Sequence, residues 1–476
     1  MRVITGFTTW RSRGLLIGIV ASTLLLGNCR EKRDKLDEYL RAAHEAWGFQ
    51  GTALVAVGGQ VILAEGYGQA NLEFNIPNTL QTKFFIGSIT KQFTAAAILK
   101  LQQMGKLDVH DPLAKHLSYY PGQVAEKITI HHLLTHTAGL PNYTDVPTIL
   151  DQRTEAIAPT ELMEYFMHQP LLSEPGERFH YSNSGYIVLG AVIEAASGQS
   201  YEAFLHRHVL RPAGMYNSGY GRREAAIPNR ASGYTVGADR VPMIAVPIHF
   251  SVLHTAGALY STVEDLLAWE RALRNGTVID DSLVAVMFTD YGHGYGYGWF
   301  IDSTYERKHC FHGGYLDGFN TTIELWPDCE LAVVVLSNED EAPVKKIARG
   351  LASICFFDSP YVWPEVKTPI PLRGVDLYDL TGMYQFDYGD YFYVWVDQDS
   401  LFSQRIGHPP ENLLPEAVDR FFLESDNTVT IEFIRDESDS VTGLQMRNEG
   451  VSHRAQRVEP HPDLELLAPG RQLQRD

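Results

Sequence analysis

A serine and a lysine three residues apart, in Gly87-Ser88-Ile89-Thr90-Lys91, open a stretch whose apolar residues Ile89, Phe93, Ala96, Ala97 and Leu101 recur at spacings of three and four. The pattern is helical over Ser88 to Gln103, with Gly105 as its stop. Spacing of three puts both side chains on one face, and a helix N-terminus aims backbone N–H groups and partial positive charge at whatever is attached to Ser88. A serine hydroxyl is a weak nucleophile near neutral pH and needs a base within hydrogen-bond reach. Lysine fills that role once burial or a neighbouring cation lowers its pKa. Taken alone, the pair reads equally well as a solvated helix start with serine as cap.

Two further groups lie downstream. Tyr181-Ser182-Asn183 stands before the helical run Ser184 to Ala196, and Phe311-His312-Gly313-Gly314-Tyr315 lies on a strand-like run. His132 and His136, four apart on the expected helix Thr129 to His136, have the spacing of zinc ligands. No glutamate follows the first as in H-E-x-x-H, so no metal is expected. The glycine-rich stretch Tyr291 to Gly298 lacks the lysine and threonine of a phosphate loop and reads as an aromatic, flexible wall of the active site.

In chain order, Ser88-x-x-Lys91, Tyr181-Ser182-Asn183 and His312-Gly313-Gly314 resemble the three motifs of the serine β-lactamase, D-alanyl-D-alanine carboxypeptidase and esterase superfamily, the first being the S-x-x-K of those enzymes. The resemblance extends through Leu133-Leu134-Thr135-His136-Thr137-Ala138-Gly139-Leu140-Pro141, Pro175 to Phe179, Ala256-Gly257 with Ser261-Thr262, Tyr295 to Trp299 and Val333 to Asn338, covering about residues 45 to 355. It implies that Tyr181 exchanges protons with nucleophile and leaving group, its phenolate favoured by Lys91. It also implies that Asn183 holds the substrate amide or ester and that the N–H groups of Ser88 and Tyr315 form the oxyanion hole. His312 departs from the lysine that begins the third motif in many β-lactamases. A histidine titrating near neutrality is a weaker anchor for a substrate carboxylate than that fixed charge. Efficient β-lactam hydrolysis is therefore not expected.

The elements around these residues form an α+β pattern: strand-like Gly51 to Val57 and Gln60 to Glu65 at one end, Phe319 to Trp326 and Leu331 to Leu336 at the other, and helices between. The expected fold is an antiparallel sheet flanked by helices, with an all-helical subdomain, over residues 30–358. One of those helices follows a capping-box pattern in Ser261-Thr262-Val263-Glu264. Residues 359–372, with four prolines, read as a linker. Short strands punctuated by turns over 373–460 predict a small all-β, barrel-like (lipocalin-like) domain, followed by a tail over 461–476.

The first 29 residues differ from the rest. Arg2, Arg11 and Arg13 precede an uncharged run from Gly14 to Gly27, the layout of a signal peptide and too short to span a bilayer. Leu26-Gly27-Asn28-Cys29 resembles a lipoprotein box, which would attach the mature chain to a membrane through lipidated Cys29. Cys310, Cys329 and Cys355 then allow at most one internal disulfide. With 58 acids against 39 bases over 476 residues, the net charge of −19 argues against nucleic acid as a partner.

These readings predict an exported, periplasmic or envelope-attached serine hydrolase. It needs no cofactor and forms an acyl-enzyme on Ser88 with a peptide or ester bearing a small acyl-side group. The alternative is a catalytically silent envelope protein that keeps the fold for binding.

Overall fold

The computed structural model describes residues 30–459, apart from positions 148, 150–152, 223–224, 238–240, 361, 366, 373–375, 388, 406–408, 425 and 449–450. The expected export segment with Cys29 and the tail over 461–476 lie outside the described residues. The chain divides into two compact units between Pro360 and Tyr361, within the proline-bearing stretch.

The first unit is built on a six-stranded antiparallel sheet. Its strands are β1 (Gly51–Val57), β2 (Gln60–Tyr67), β3 (Phe300–Thr304), β4 (Arg307–Leu316), β5 (Phe319–Trp326) and β6 (Leu331–Ser337), in the order β3-β4-β5-β6-β1-β2. The β1–β6 pairing, from Gly51 opposite Ser337 to Val57 opposite Leu331, joins segments far apart in sequence. The sheet is covered on both faces, so central strand β6 is apolar from Leu331 to Leu336 rather than alternating. Its Ala332, Val334 and Leu336 join the core under the helical region. Leu331, Val333 and Val335 pack with the helix over residues 30–47 (α1) and with Val344–Phe357, at the C-terminal end of this unit.

Across the other face lie α2 (Thr90–Gln103), α3 (Ile130–Leu134), α4 (Asn183–Ser197), α5 (Phe250–Gly257) and α6 (Val263–Arg274). Helix α2 is buried on nearly every side, and several of its polar side chains bond to neighbouring elements. The Gln92 Oε1 accepts from Trp269 Nε1, the Thr94 hydroxyl donates to Thr255 O, and the Thr90 hydroxyl accepts from Leu259 N–H. Two local expectations change. The cap of α6 is Thr262, accepting from Asp265 N–H, rather than Ser261 paired with Glu264. Helix α3 stops at Leu134, and His136 adopts a left-handed φ of 57°, so His132 and His136 do not share a helical face.

Strand β3 pairs with β4 only as far as Phe300 opposite Phe311, which leaves His312 to Leu316 without a strand partner on that side. The 3-10 turn Gly87–Ile89, at the start of α2, runs against this open edge. Two glycines permit the approach. Gly87 has a φ of 51°, and a Cβ on it would lie 2.9 Å from Tyr315 N; a Cβ on Gly314 would lie 1.9 Å from Ile86 O.

The second unit is a closed eight-stranded antiparallel barrel. Its first strand, Gly382–Phe386, pairs with its last, Val451–Val458, so no edge is left open. Tyr384, Phe392, Val394, Leu401, Phe421 and Ile431 are among the side chains filling it.

Replacing Gly314 by alanine should lower the thermal midpoint through a cost of about 1–3 kcal/mol, since the added methyl meets fixed backbone. Gly122→Ala, where a Cβ meets nothing within 4 Å, is the control and should leave the midpoint unchanged or raised. Differential scanning calorimetry of both variants checks this, and equal midpoints would contradict it.

Candidate active site

The turn and α2 bring Ser88 and Lys91 together as their spacing predicts. Lys91 is fully buried, with Nζ 3.0 Å from Ser88 Oγ. Its other contacts are Asn183 Oδ1 at 2.8 Å and Ala256 O at 3.0 Å. None of the three is an anion. Burial therefore pushes the Lys91 pKa well below the ordinary lysine value. A neutral amine has two hydrogens and one lone pair. Two carbonyl oxygens, which can only accept, take the hydrogens, and the lone pair is left for the Ser88 hydroxyl.

Asn183 opens α4 and is held from both ends. Its N–H donates to Asn142 Oδ1 at 3.0 Å and its amide Nδ2 to Thr144 Oγ1 at 3.3 Å, so Oδ1 is turned to Lys91. The hydroxyl of Ser184 donates to Pro141 O at 2.6 Å, tying the same loop to the helix start. Ala256 O reaches Lys91 because α5 is broken at His254, which has φ 33° and ψ −126°. This backbone carbonyl could not be read from sequence, since nothing marks the break.

Tyr181 is hydrogen-bonded to Ser88, and Lys91 Nζ lies 4.9 Å from the centre of its ring. Its proton state differs from the expectation. Burial raises the phenol pKa above the usual value, which the Ser88 hydrogen bond only partly offsets, so Tyr181 keeps its proton beside a neutral lysine. A phenolate here would need Lys91 to become charged first.

His312 is also corrected. It is buried, and desolvation lowers its pKa to about 3, so it stays neutral instead of titrating near pH 7. Its Nδ1 is 2.6 Å from Gly313 O and its Nε2 3.2 Å from Tyr295 OH. Gly313 and Gly314 follow on β4, and Tyr315 sends its side chain out to solvent while its backbone nitrogen faces Gly87. Tyr295 and Tyr297 are fully buried, so the second half of the glycine-rich stretch is packed, while Gly292 and His293 are exposed.

Sequence reasoning missed what His136 does here. Its carbonyl accepts from His180 N–H at 2.8 Å and its Nδ1 from Ser182 N–H at 3.1 Å, pinning the residues on either side of Tyr181. Its ring lies 4.3 Å from that of Tyr181. The signal was the quoted Leu133 to Pro141 segment, which gave no chemistry by itself. His132 Nδ1 is engaged by Thr129 N–H, and among the described residues no cluster of His, Cys, Asp or Glu could hold a metal ion. Cys310, Cys329 and Cys355 are free thiols.

A serine, a buried lysine without a counter-ion, a protonated tyrosine and an open strand edge thus meet at the start of α2. The chain belongs to the Beta-lactamase family, whose sequence model matches residues 36–354. It is similar to penicillin-binding protein 4* of Bacillus subtilis, 27% identical over 90% of this chain and 99% of that protein. Among solved structures it is similar to the octameric penicillin-binding protein homologue from Pyrococcus abyssi, with a TM-score of 0.63 and 27% identity over 89% of this chain and 99% of that one. A D-stereospecific amidohydrolase from Streptomyces sp. shares the fold, with a TM-score of 0.58 and 24% identity over 67% of this chain and 98% of that one.

His136→Ala should slow the reaction of Ser88 with a fluorophosphonate by about tenfold or more, the scale on which small misplacements in an active site are felt. His136→Asn keeps an acceptor at the Nδ1 position and tolerates left-handed backbone, so it should recover most of the rate. Equal rates for wild type and alanine variant would remove this positioning role.

Proposed function

We propose that this chain is an exported serine hydrolase that forms an acyl-enzyme on Ser88 and acts on a peptide or ester. The observation that carries the reading is the Lys91 amine. It is fully buried, has no carboxylate partner, and sits 3.0 Å from Ser88 Oγ, with its other contacts, Asn183 Oδ1 at 2.8 Å and Ala256 O at 3.0 Å, both carbonyl oxygens.

In the proposed reaction Ser88 Oγ attacks the substrate carbonyl carbon while its proton passes to Lys91 Nζ. The carbonyl oxygen, now negative, is held by the N–H groups of Ser88 and Tyr315. Collapse breaks the bond to the leaving amine or alkoxide, which takes the phenol proton of Tyr181. The phenolate left beside charged Lys91 recovers a proton from it, and both groups return to neutral. Water repeats the sequence on the acyl-enzyme, releasing acid and restoring Ser88. Asn183 Nδ2 and the free edge of β4 are placed to orient the substrate backbone.

Neutral His312 cannot supply the fixed positive charge that a β-lactam carboxylate would use, which favours peptides and esters over β-lactams. The Streptomyces amidohydrolase and the D-amino acid amidase from Ochrobactrum anthropi, both of like fold, make amides and peptides of D-amino acids reasonable first substrates. The N-terminal segment is proposed as the export signal and Cys29 as the lipid attachment point; unchanged palmitate incorporation by Cys29→Ser would discard the anchor.

A fluorophosphonate should add its mass to the peptide containing Ser88 in wild type and not in Ser88→Ala. No labelling by any serine probe would leave the silent binding protein as the better reading. Parallel assays on D-alanyl peptides, p-nitrophenyl esters and nitrocefin should rank nitrocefin last. Because His312 stays neutral above about pH 3, His312→Asn should not shift the acid limb of kcat/KM; a limb near pH 6.5 lost in that variant would contradict the assignment.

A further inference from the structure

The first unit holds an apolar cavity of about 610 Å³, within the range of small-molecule sites. Phe85, Phe250 and Phe319 form its wall, with ring centroids 4.1 Å apart for Phe85–Phe250 and 5.4 Å for Phe85–Phe319. Leu316 closes one side. Ile244 and Val246 form an exposed lip, at 72% and 51% exposure. The acids at the rim are already engaged, Asp317 by Arg153 at 2.9 Å and Glu73 by the Tyr234 hydroxyl at 2.5 Å. The one cation of the lining, exposed Arg230, lies over the Phe85 ring at 5.9 Å from its centre, so the charged groups stand at the rim and the interior is left apolar.

Its position relative to Ser88 follows from the strand. Phe85 stands three residues before the nucleophile, and Leu316 follows Tyr315, about 3.3 Å further along β4. The proton donor lies towards the other end: the Tyr181 ring is 6.3 Å from the ring of His312. A leaving group must sit where Tyr181 can protonate it, on the His312 side. The acyl part must then extend past Tyr315 towards Leu316, where the cavity begins.

We propose that this cavity is the acyl-side specificity pocket and takes a bulky apolar side chain, aromatic or branched aliphatic, from the residue whose carbonyl Ser88 attacks. The inference rests on the hydrolase reading and replaces the small acyl-side group expected from sequence. A methyl would leave most of the space unfilled, whereas a benzyl or isobutyl group loses water against three phenylalanine rings. Each methylene buried in such a pocket is worth roughly tenfold or more in kcat/KM.

The test uses p-nitrophenyl esters of N-acetyl alanine, leucine and phenylalanine, both enantiomers, with fluorophosphonate labelling of Ser88 run in parallel. In the preferred enantiomeric series, wild type should favour phenylalanine or leucine over alanine by about tenfold or more. The double variant Ile244→Asp/Val246→Asp changes only exposed lip residues. It should lose about tenfold on the large esters while the alanine ester and the labelling rate stay within about twofold. Ala245→Leu, at the cavity lining, should act in the same direction. Intact labelling with a preference for alanine, or an equal loss on all esters in the lip variant, overturns the pocket and leaves the hydrolase reading standing. Absence of both labelling and turnover overturns the hydrolase reading and the pocket with it.

Discussion

The two carbonyl oxygens that bind the Lys91 amine, Asn183 Oδ1 and Ala256 O, set the terms for the rest of the site. A buried ammonium without an anion costs several kcal/mol, so the fold favours the uncharged amine and keeps its lone pair for Ser88. Had either carbonyl been a carboxylate, the lysine would hold its proton and could not act as a base. Much of the helical region serves to bring these two oxygens to one nitrogen. One stands on the first residue of α4, fixed by Asn142 and Thr144. The other is exposed by the break in α5 at His254, whose strained backbone is the sort of local cost that functional sites retain.

The opposite wall depends on how closely two backbones can approach. Gly87 and Gly314 let the turn that carries Ser88 lie against the unpaired edge of β4, with Thr321 Oγ1 3.2 Å from Ile86 O and 3.1 Å from Gly314 O. A third strand pairing beyond Phe311 would have closed that edge. The proposed chemistry thus occupies a seam between a buried helix start and a strand left open, and His136 holds Tyr181 across it.

Much of this was legible in the sequence. The order of Ser88-x-x-Lys91, Tyr181-x-Asn183 and His312-Gly-Gly pointed to the family, and the strand-helix-strand pattern to its sheet. The C-terminal barrel was legible as a barrel-like all-β domain from its run of short, turn-punctuated strands; the pairing of its first and last members, which closes it, is seen only in the structure. Proton states were the main failure. Spacing reveals which groups are near one another but not how deeply they are buried, and burial keeps Tyr181 protonated and His312 neutral. The Ala256 carbonyl and the His136 clamp were hidden for a related reason, since backbone acceptors and left-handed turns leave little trace in residue type. The size of the acyl-side cavity was hidden too, being assembled from Phe85, Phe250 and Phe319 in separate elements.

At rest Lys91 is an uncharged base. The most direct measurement is the pH dependence of Ser88 acylation, followed as the p-nitrophenol burst from an ester, in wild type and in Lys91→Met. An acid limb well below the ordinary lysine range is expected in wild type, with loss of the burst in the variant. A limb at the ordinary lysine value, or a burst that survives the substitution at full rate, would contradict it.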